Sequence, residues 1–244
     1  MSPRLRLAIF LPALAGFGLL LVWAYTGIHP FGDFHGSYGF LVQQLGTPLR
    51  HMDNAVNATT YDIRGVDTMG EEFILFAAVI GVVLLFRESG TDETPRDEIG
   101  LDLTRVFGIV GLGAVILVSL WLVAFGFVTP GGGFQGGVAL ASGGLLLYLV
   151  ASRREWSAFG NDHVLDPLDG LGAGGYVVIG LAPIFAGLPF LTNFFGLGSA
   201  GTVYSAGSAA FVNWAAGLEV AAAILVLYTE YLAQYVAPIA WVKR

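Results

Sequence analysis

The chain has 244 residues, 55% of them hydrophobic and only 12% charged, a balance too apolar for the solvated surface of a soluble domain. Its net charge of -7 excludes the basic footprint of a nucleic-acid binder, so no nucleic-acid partner is expected. With no cysteine, the chain has no disulfide, thiolate zinc site, iron-sulfur cluster or cysteine nucleophile, and a redox cofactor of that kind would belong to a partner.

The lipid bilayer is therefore the expected solvent, and the expected fold is an all-α integral membrane protein. A helix needs about 20 residues to cross a hydrocarbon core of about 30 Å. Six apolar stretches qualify, at residues 7–26, 70–86, 103–127, 133–151, 171–191 and 210–236. Continuously apolar runs of this kind argue against a β-barrel, whose strands alternate. The first stretch follows Arg4 and Arg6. It is longer than the roughly 7 to 15 apolar residues of a leader and no small-residue cleavage pattern follows, so it reads as a retained span.

Residues 29–69 make too long a segment for a simple connector. Within it, residues 38–58 are partly amphipathic and interrupted by Gly46 and Pro48, a pattern suited to lying along the membrane surface or packing on a partner. The segment ends in a dense charged constellation, Tyr61-Asp62-Ile63-Arg64-Gly65-Val66-Asp67-Thr68-Met69-Gly70-Glu71-Glu72. One reading is helix capping, with Asp67 or Thr68 accepting from free N–H groups and Glu71 in the first turn, where negative charge suits the helix dipole. The other is a proton or cation station at a membrane entrance, formed by Glu71 with Arg64 or Asp67.

The acidic, proline-containing stretch 89–102 reads as a cytoplasmic linker between a two-helix part, residues 1–88, and a four-helix part, residues 103–244. Between the third and fourth spans lies Thr129-Pro130-Gly131-Gly132-Gly133-Phe134-Gln135-Gly136-Gly137. No Gly-Lys-Ser/Thr follows, so this is no nucleotide loop. Small residues there let neighbouring helices approach backbone to backbone, and ion coordination by loop carbonyls is the alternative. His163 with Asp162, Asp166 and Asp169 reads as a polar, solvated cytoplasmic loop rather than a metal site.

Glu219 stands about 13 Å into the last stretch, near the bilayer midplane. A charged carboxylate there costs at least about 2.5 to 3.5 kcal/mol, so it must face protein or water. It is either a neutral packing group or a member of an ion path. Asn213 lies about 120° away around an ideal helix and need not share the Glu219 face.

Arg4 and Arg6, Arg87 and Arg96, Arg153 and Arg154, and Lys243 and Arg244 fall on alternate loops, which places that side and both termini in the cytoplasm. Arg50 and Arg64 are the exceptions, in the long loop where the rule is weaker. Hydrolase signatures are absent, so no catalytic residue is expected and the chain reads as a transporter subunit rather than an enzyme.

The glycine-led stretch from Thr129 to Gly137, with Asn213-Trp214-Ala215-Ala216-Gly217-Leu218-Glu219-Val220-Ala221-Ala222, resembles the B subunit of Mrp-type multisubunit sodium/proton antiporters and its counterparts in membrane-bound hydrogenases. Asp62-Ile63-Arg64-Gly65-Val66-Asp67-Thr68-Met69-Gly70-Glu71 is similar to a pattern near the C-terminal end of the A subunit of the same antiporters, so the chain looks like a fusion of that tail with the B subunit. The resemblance implies a multi-pass protein of a prokaryotic cytoplasmic membrane, partnered by other membrane subunits. It implies no bound cofactor in this chain but a transported sodium ion or proton, with Glu71 and Glu219 on the ion path and Asp67 and Arg64 supporting Glu71; Pro130, Gly131, Gly132, Gly133, Gly136 and Gly137 keep the helix-packing role read from the small residues of that stretch. Two other readings remain: an equivalent subunit of a redox-driven ion-pumping complex, and a purely structural linker subunit.

Overall fold

The computed structural model describes residues 3–28, 32, 36–86, 102–150 and 160–235. Its described residues are mainly helical, without a β-strand, and six of the helices are long and apolar enough to cross a membrane. The linker expected at 89–102 lies outside the described residues but for its last position, as do Arg87, Arg96, Arg153, Arg154, Lys243 and Arg244.

The chain divides into two compact units, residues 1–39 and 40–244. In the first, α1 (Pro3–Thr26) carries no charged residue after Arg6 and leaves almost every described side chain exposed. A helix apolar all round finds its solvent in lipid, because its own ladder satisfies the backbone groups that hydrocarbon cannot. Thr26 closes it by donating its hydroxyl to the Trp23 carbonyl at 2.6 Å.

The second unit opens within α2 (Ser37–Arg50), which runs unbroken through Gly46 and Pro48, contrary to the interruption expected from sequence. Pro48 sits in the last turn, where the one ladder bond it removes costs little. The break comes instead at His51, at φ 53°, beside a ring nitrogen contact of 2.6 Å from His51 to the Gly198 carbonyl.

Asn54 then caps the short α3 (Ala55–Ala58), its Oδ1 accepting from Val56 N at 3.0 Å. The same side chain donates Nδ2–H to the carbonyls of Gly126 and Thr129 at 2.7 and 3.1 Å. A π-helical turn (Thr59–Ile63) leads into α4 (Gly65–Phe86), which starts before the expected residue 70. Asp67 and Thr68 do not cap it as the first reading supposed: Asp67 pairs with Arg64, and the Thr68 hydroxyl donates back to the Thr60 carbonyl at 2.7 Å.

α5 (Asp102–Ala124) and α6 (Gly133–Val150) form a hairpin. Its turn needs glycine: Gly131 and Gly132 hold φ of 154° and 141°, and Gly132 N donates to the Leu122 carbonyl at 3.0 Å. α7 (Asp162–Leu181) begins well before the expected span at 171, so the polar-loop reading of Asp162, His163, Asp166 and Asp169 is corrected. Asn161 caps it, accepting from His163 N at 3.0 Å, and a buried stripe of Leu165, Asp169, Gly172, Ala173, Tyr176 and Gly180 keeps the helix going despite Pro167. Among the described residues no three acidic, histidine or cysteine side chains are placed to hold a metal ion.

A 3-10 turn (Ala182–Ala186) and an irregular segment, residues 187–208, follow. Asn193 staples that segment, accepting from Ser208 N at 2.7 Å and donating to the Ala206 carbonyl at 2.8 Å. α8 (Ala209–Tyr235) is the central helix, packed by α4, α6 and α7. Two apolar clusters hold these helices together. One gathers Tyr61, Met69, Tyr176, Val212 and Ala216, and the other Leu75, Val79, Ala141, Leu165, Ala223 and Val226.

Candidate functional site

The π-helical turn widens the backbone at Thr59–Ile63, and polar hollows open around it. The first, about 480 Å³, is lined by Arg50, Asp62, Arg64 and Asp67 with the chain at 190–193. Arg64 and Asp67, joined by an exposed ion pair, continue into a second hollow of about 340 Å³, where they meet Thr60, Thr68 and Glu71. Glu71 and Thr60 continue into a third of about 180 Å³, closed by Asn57, Tyr61, Gly131, Phe134 and Gln135. The expected residues Arg64, Asp67 and Glu71 therefore share one wall, and Glu71 looks across to the glycine-rich turn.

The third hollow is chemically unfinished. Asn57 is buried, yet neither its Oδ1 nor its Nδ2 meets a hydrogen-bond partner. Tyr61 Oη stands by the first N–H groups of α6. Burial holds its phenol well above the ordinary value, those N–H groups pull it back, and the nearby Glu71 charge adds to the rise. A hollow lined by amide, phenol, hydroxyl and one carboxylate suits water and a cation or proton better than an apolar ligand.

At the other edge, Arg50 Nε lies 3.0 Å from Asp62 Oδ2. Burial raises the Asp62 pKa, while the Arg50 guanidinium and the Asn193 amide oppose the rise. Arg50 favours the ionised form, so its loss costs stability only where Asp62 is charged. Arg50→Gln is expected to be about 1 kcal/mol less stable at neutral pH, Arg50 being half exposed, and to match the parent in acid once Asp62 is protonated. Thermal unfolding across that pH range checks this, and a deficit that persists undiminished in acid counts against it.

Glu219 is not part of these hollows. It is fully buried on α8 against α7, where a Cβ added to Gly172 would fall 2.4 Å from Glu219 N. Asn213 faces the other way, its Oδ1 accepting from Gly133 N and its Nδ2 donating to the Val123 carbonyl, both at 2.7 Å. The glycine motif meets backbone on two sides. A Cβ at Gly133 would lie 2.4 Å from the Asn213 carbonyl, at Gly137 2.9 Å from the Gly217 carbonyl, and at Gly136 2.9 Å from the Ser119 carbonyl. Pro130 is exposed at the turn.

Sequence reasoning passed over Glu72 and Asp169, both buried. Glu72 was hidden beside Glu71, and only the helical phase separates them: Gly65, Thr68, Glu72 and Val79 form the buried stripe of α4.

Residues 103–226 match a family model described as a domain related to the MnhB subunit of Na+/H+ antiporters. An uncharacterised protein of Methanocaldococcus jannaschii is 30% identical over 194 residues, covering 70% of this chain and 74% of its own. The fold is similar to that of a chain in the membrane-bound sulfane sulfur reductase, an archaeal respiratory membrane complex, with a TM-score of 0.67 and 24% identity, covering 93% of this chain and 98% of that one. It is also similar to a chain of the Mrp complex from a Dietzia species, with a TM-score of 0.65 and 23% identity, covering 94% of this chain but 26% of that one.

Proposed function

This chain belongs to the family of domains related to the MnhB subunit of Na+/H+ antiporters and is a membrane subunit of an antiporter-type complex, and from that premise we propose that it forms part of the cation or proton path. The observation that carries this reading is the continuous polar wall from Arg50 past Arg64 and Asp67 to Glu71, which ends against Gly131 and Gln135. Glu71 is the exchanging carboxylate, exposed to the hollow and so able to take up and release an ion. Arg64 and Asp67 hold a balanced pair beside it, and Glu219 is a second, deeper carboxylate. The transported ion is sodium or a proton, and the chain itself catalyses no reaction.

The alternating basic residues support placing both termini on the cytoplasmic face of a prokaryotic cell membrane. Neighbouring membrane subunits and lipid supply the remaining surroundings.

Glu71→Gln is expected to lower sodium/proton exchange in membrane vesicles at least about tenfold, about 1.4 kcal/mol at the barrier, with assembly intact on a native gel because the side chain supports no packing. Unchanged exchange removes Glu71 from the path. The near-complete coverage of the respiratory-complex chain favours one second reading, the same subunit in a redox-driven complex. Purifying the tagged chain from its native membrane distinguishes the two: iron-sulfur partners support the redox assembly, and antiporter-like membrane subunits alone support the first reading.

A further inference from the structure

Three carboxylates are buried in the α4–α7–α8 bundle. Glu72, Asp169 and Glu219 are 1%, 3% and 0% exposed. Both oxygens of Glu72 and of Glu219, and Oδ1 of Asp169, have no hydrogen-bond partner. Each helix contributes one.

They stand within about one helical turn of a common level. The Tyr176 hydroxyl donates to the Gly65 carbonyl at 2.9 Å, which fixes the register of α4 against α7. The two helices run in opposite directions, since α4 passes from Met69 in the first apolar cluster to Val79 in the second while α7 passes from Leu165 in the second to Tyr176 in the first. Glu72 lies seven residues beyond Gly65 and Asp169 seven before Tyr176, so each is about 10 Å along its helix from that bond. Gly172 touches the Glu219 backbone, which places Glu219 about one turn from the height of Asp169. On α8, Glu219 lies between Ala216 of the first cluster and Ala223 of the second.

Their directions agree. Glu72 shares the buried stripe of α4 with Gly65 and Val79, which face α7 and α8. Asp169 shares that of α7 with Leu165 and Tyr176, which face α4 and α8.

No lysine or arginine occurs in α4, α7 or α8, and α6 adds no ionisable group beyond Tyr148 at its far end. The nearest other ionisable side chains are the exposed Asp166, one turn before Asp169, whose charge acts on it, and Glu71, which turns from Glu72 to the third hollow; Tyr61 and Tyr176 lie in the first apolar cluster and Glu230 further along α8. Three bare charges buried without a cation or donor would cost several kcal/mol each, so the group must take up neutralising partners. No three acidic side chains among the described residues are close enough to chelate an ion, so the fitting guest is the proton.

We propose that Glu72, Asp169 and Glu219 form a buried proton-holding layer, closed by an apolar cluster on each side. A carboxylic acid O–H there breaks as another carboxylate of the layer gains the proton through intervening water, with no net change in charge. The layer rests on the ion-path reading only for where its protons go.

The test is infrared spectroscopy of the purified complex in lipid at neutral pH, comparing the parent with Glu72→Gln, Asp169→Asn and Glu219→Gln. The expected result is a protonated carboxylic C=O band that loses intensity in at least two of the three variants and is unmoved by sodium. These amide variants keep the shape of the site. A band unchanged in all three overturns the proposal, as does one abolished by sodium, which would make the layer a cation site. A lost band with normal exchange in Glu72→Gln keeps the layer and detaches it from the ion path, and lost exchange in Glu71→Gln with an unchanged band in these variants does the reverse.

Discussion

Gly172→Ala is expected to destabilise the protein by about 3 kcal/mol, although alanine is the better helix former. The added Cβ would lie 2.4 Å from Glu219 N and 2.6 Å from its Cα, and backbone in the middle of a central helix has nowhere to retreat. α7 would have to move off α8 as a body, opening the seam from Leu165 to Tyr176. Gly174 on the same helix is the internal control, because a Cβ there meets nothing within 4 Å. Gly174→Ala should be neutral or slightly stabilising, by up to about 1 kcal/mol. Thermal unfolding in detergent measures both; equal effects for the two substitutions would mean that the α7–α8 contact is looser than described.

Asn213→Leu is expected to cost about 2 to 4 kcal/mol. Asn213 is 1% exposed and bridges two elements at once, accepting from Gly133 N at the start of α6 and donating to the Val123 carbonyl near the end of α5. Leucine fills the space but removes the partner of Gly133 N and leaves the Val123 carbonyl only its 3.3 Å bond from Gly126 N, and an unmade bond in a low-dielectric interior costs more than the made one contributed. Asn213→Asp keeps the acceptor, loses the donor and adds a buried charge, so it should be at least as harmful. Melting temperatures and the integrity of the complex on a native gel check this, and a leucine variant that melts with the parent would show that Asn213 does not hold the three helices together.

The six spans were legible because lipid imposes a length and a composition, and both are written in the residue types. Their phases were not. In α4 the exposed positions Phe73 and Ile74 are as apolar as the buried Val79, so nothing in the pattern says which side is inside. The adjacent Glu71 and Glu72 differ by one residue and about 100° of turn, which sends one to a polar hollow and buries the other. Asp169 was read as part of a solvated loop because Asp162, His163, Asp166 and Pro167 dilute the apolar signal. The stripe that carries the helix through them depends on glycine and alanine, which pack by being small rather than by being hydrophobic. Gly46 and Pro48 misled in the opposite sense, since a proline in a final turn ends nothing that is not already ending.

The glycine face of α6 also bears on where water can go. Gly133 and Gly137 bring the main chain of α6 against that of α8, and Gly136 does the same toward α5. Side chains that interlock leave crevices when they change rotamer, whereas two backbones in contact have no rotamers to change. That flank of α8 is therefore a gasket, and Gly172 of α7 adds a second main-chain seal against Glu219; a file of water crossing this protein has to run along α4, where an added Cβ at Gly70 or Gly81 meets nothing within 4 Å.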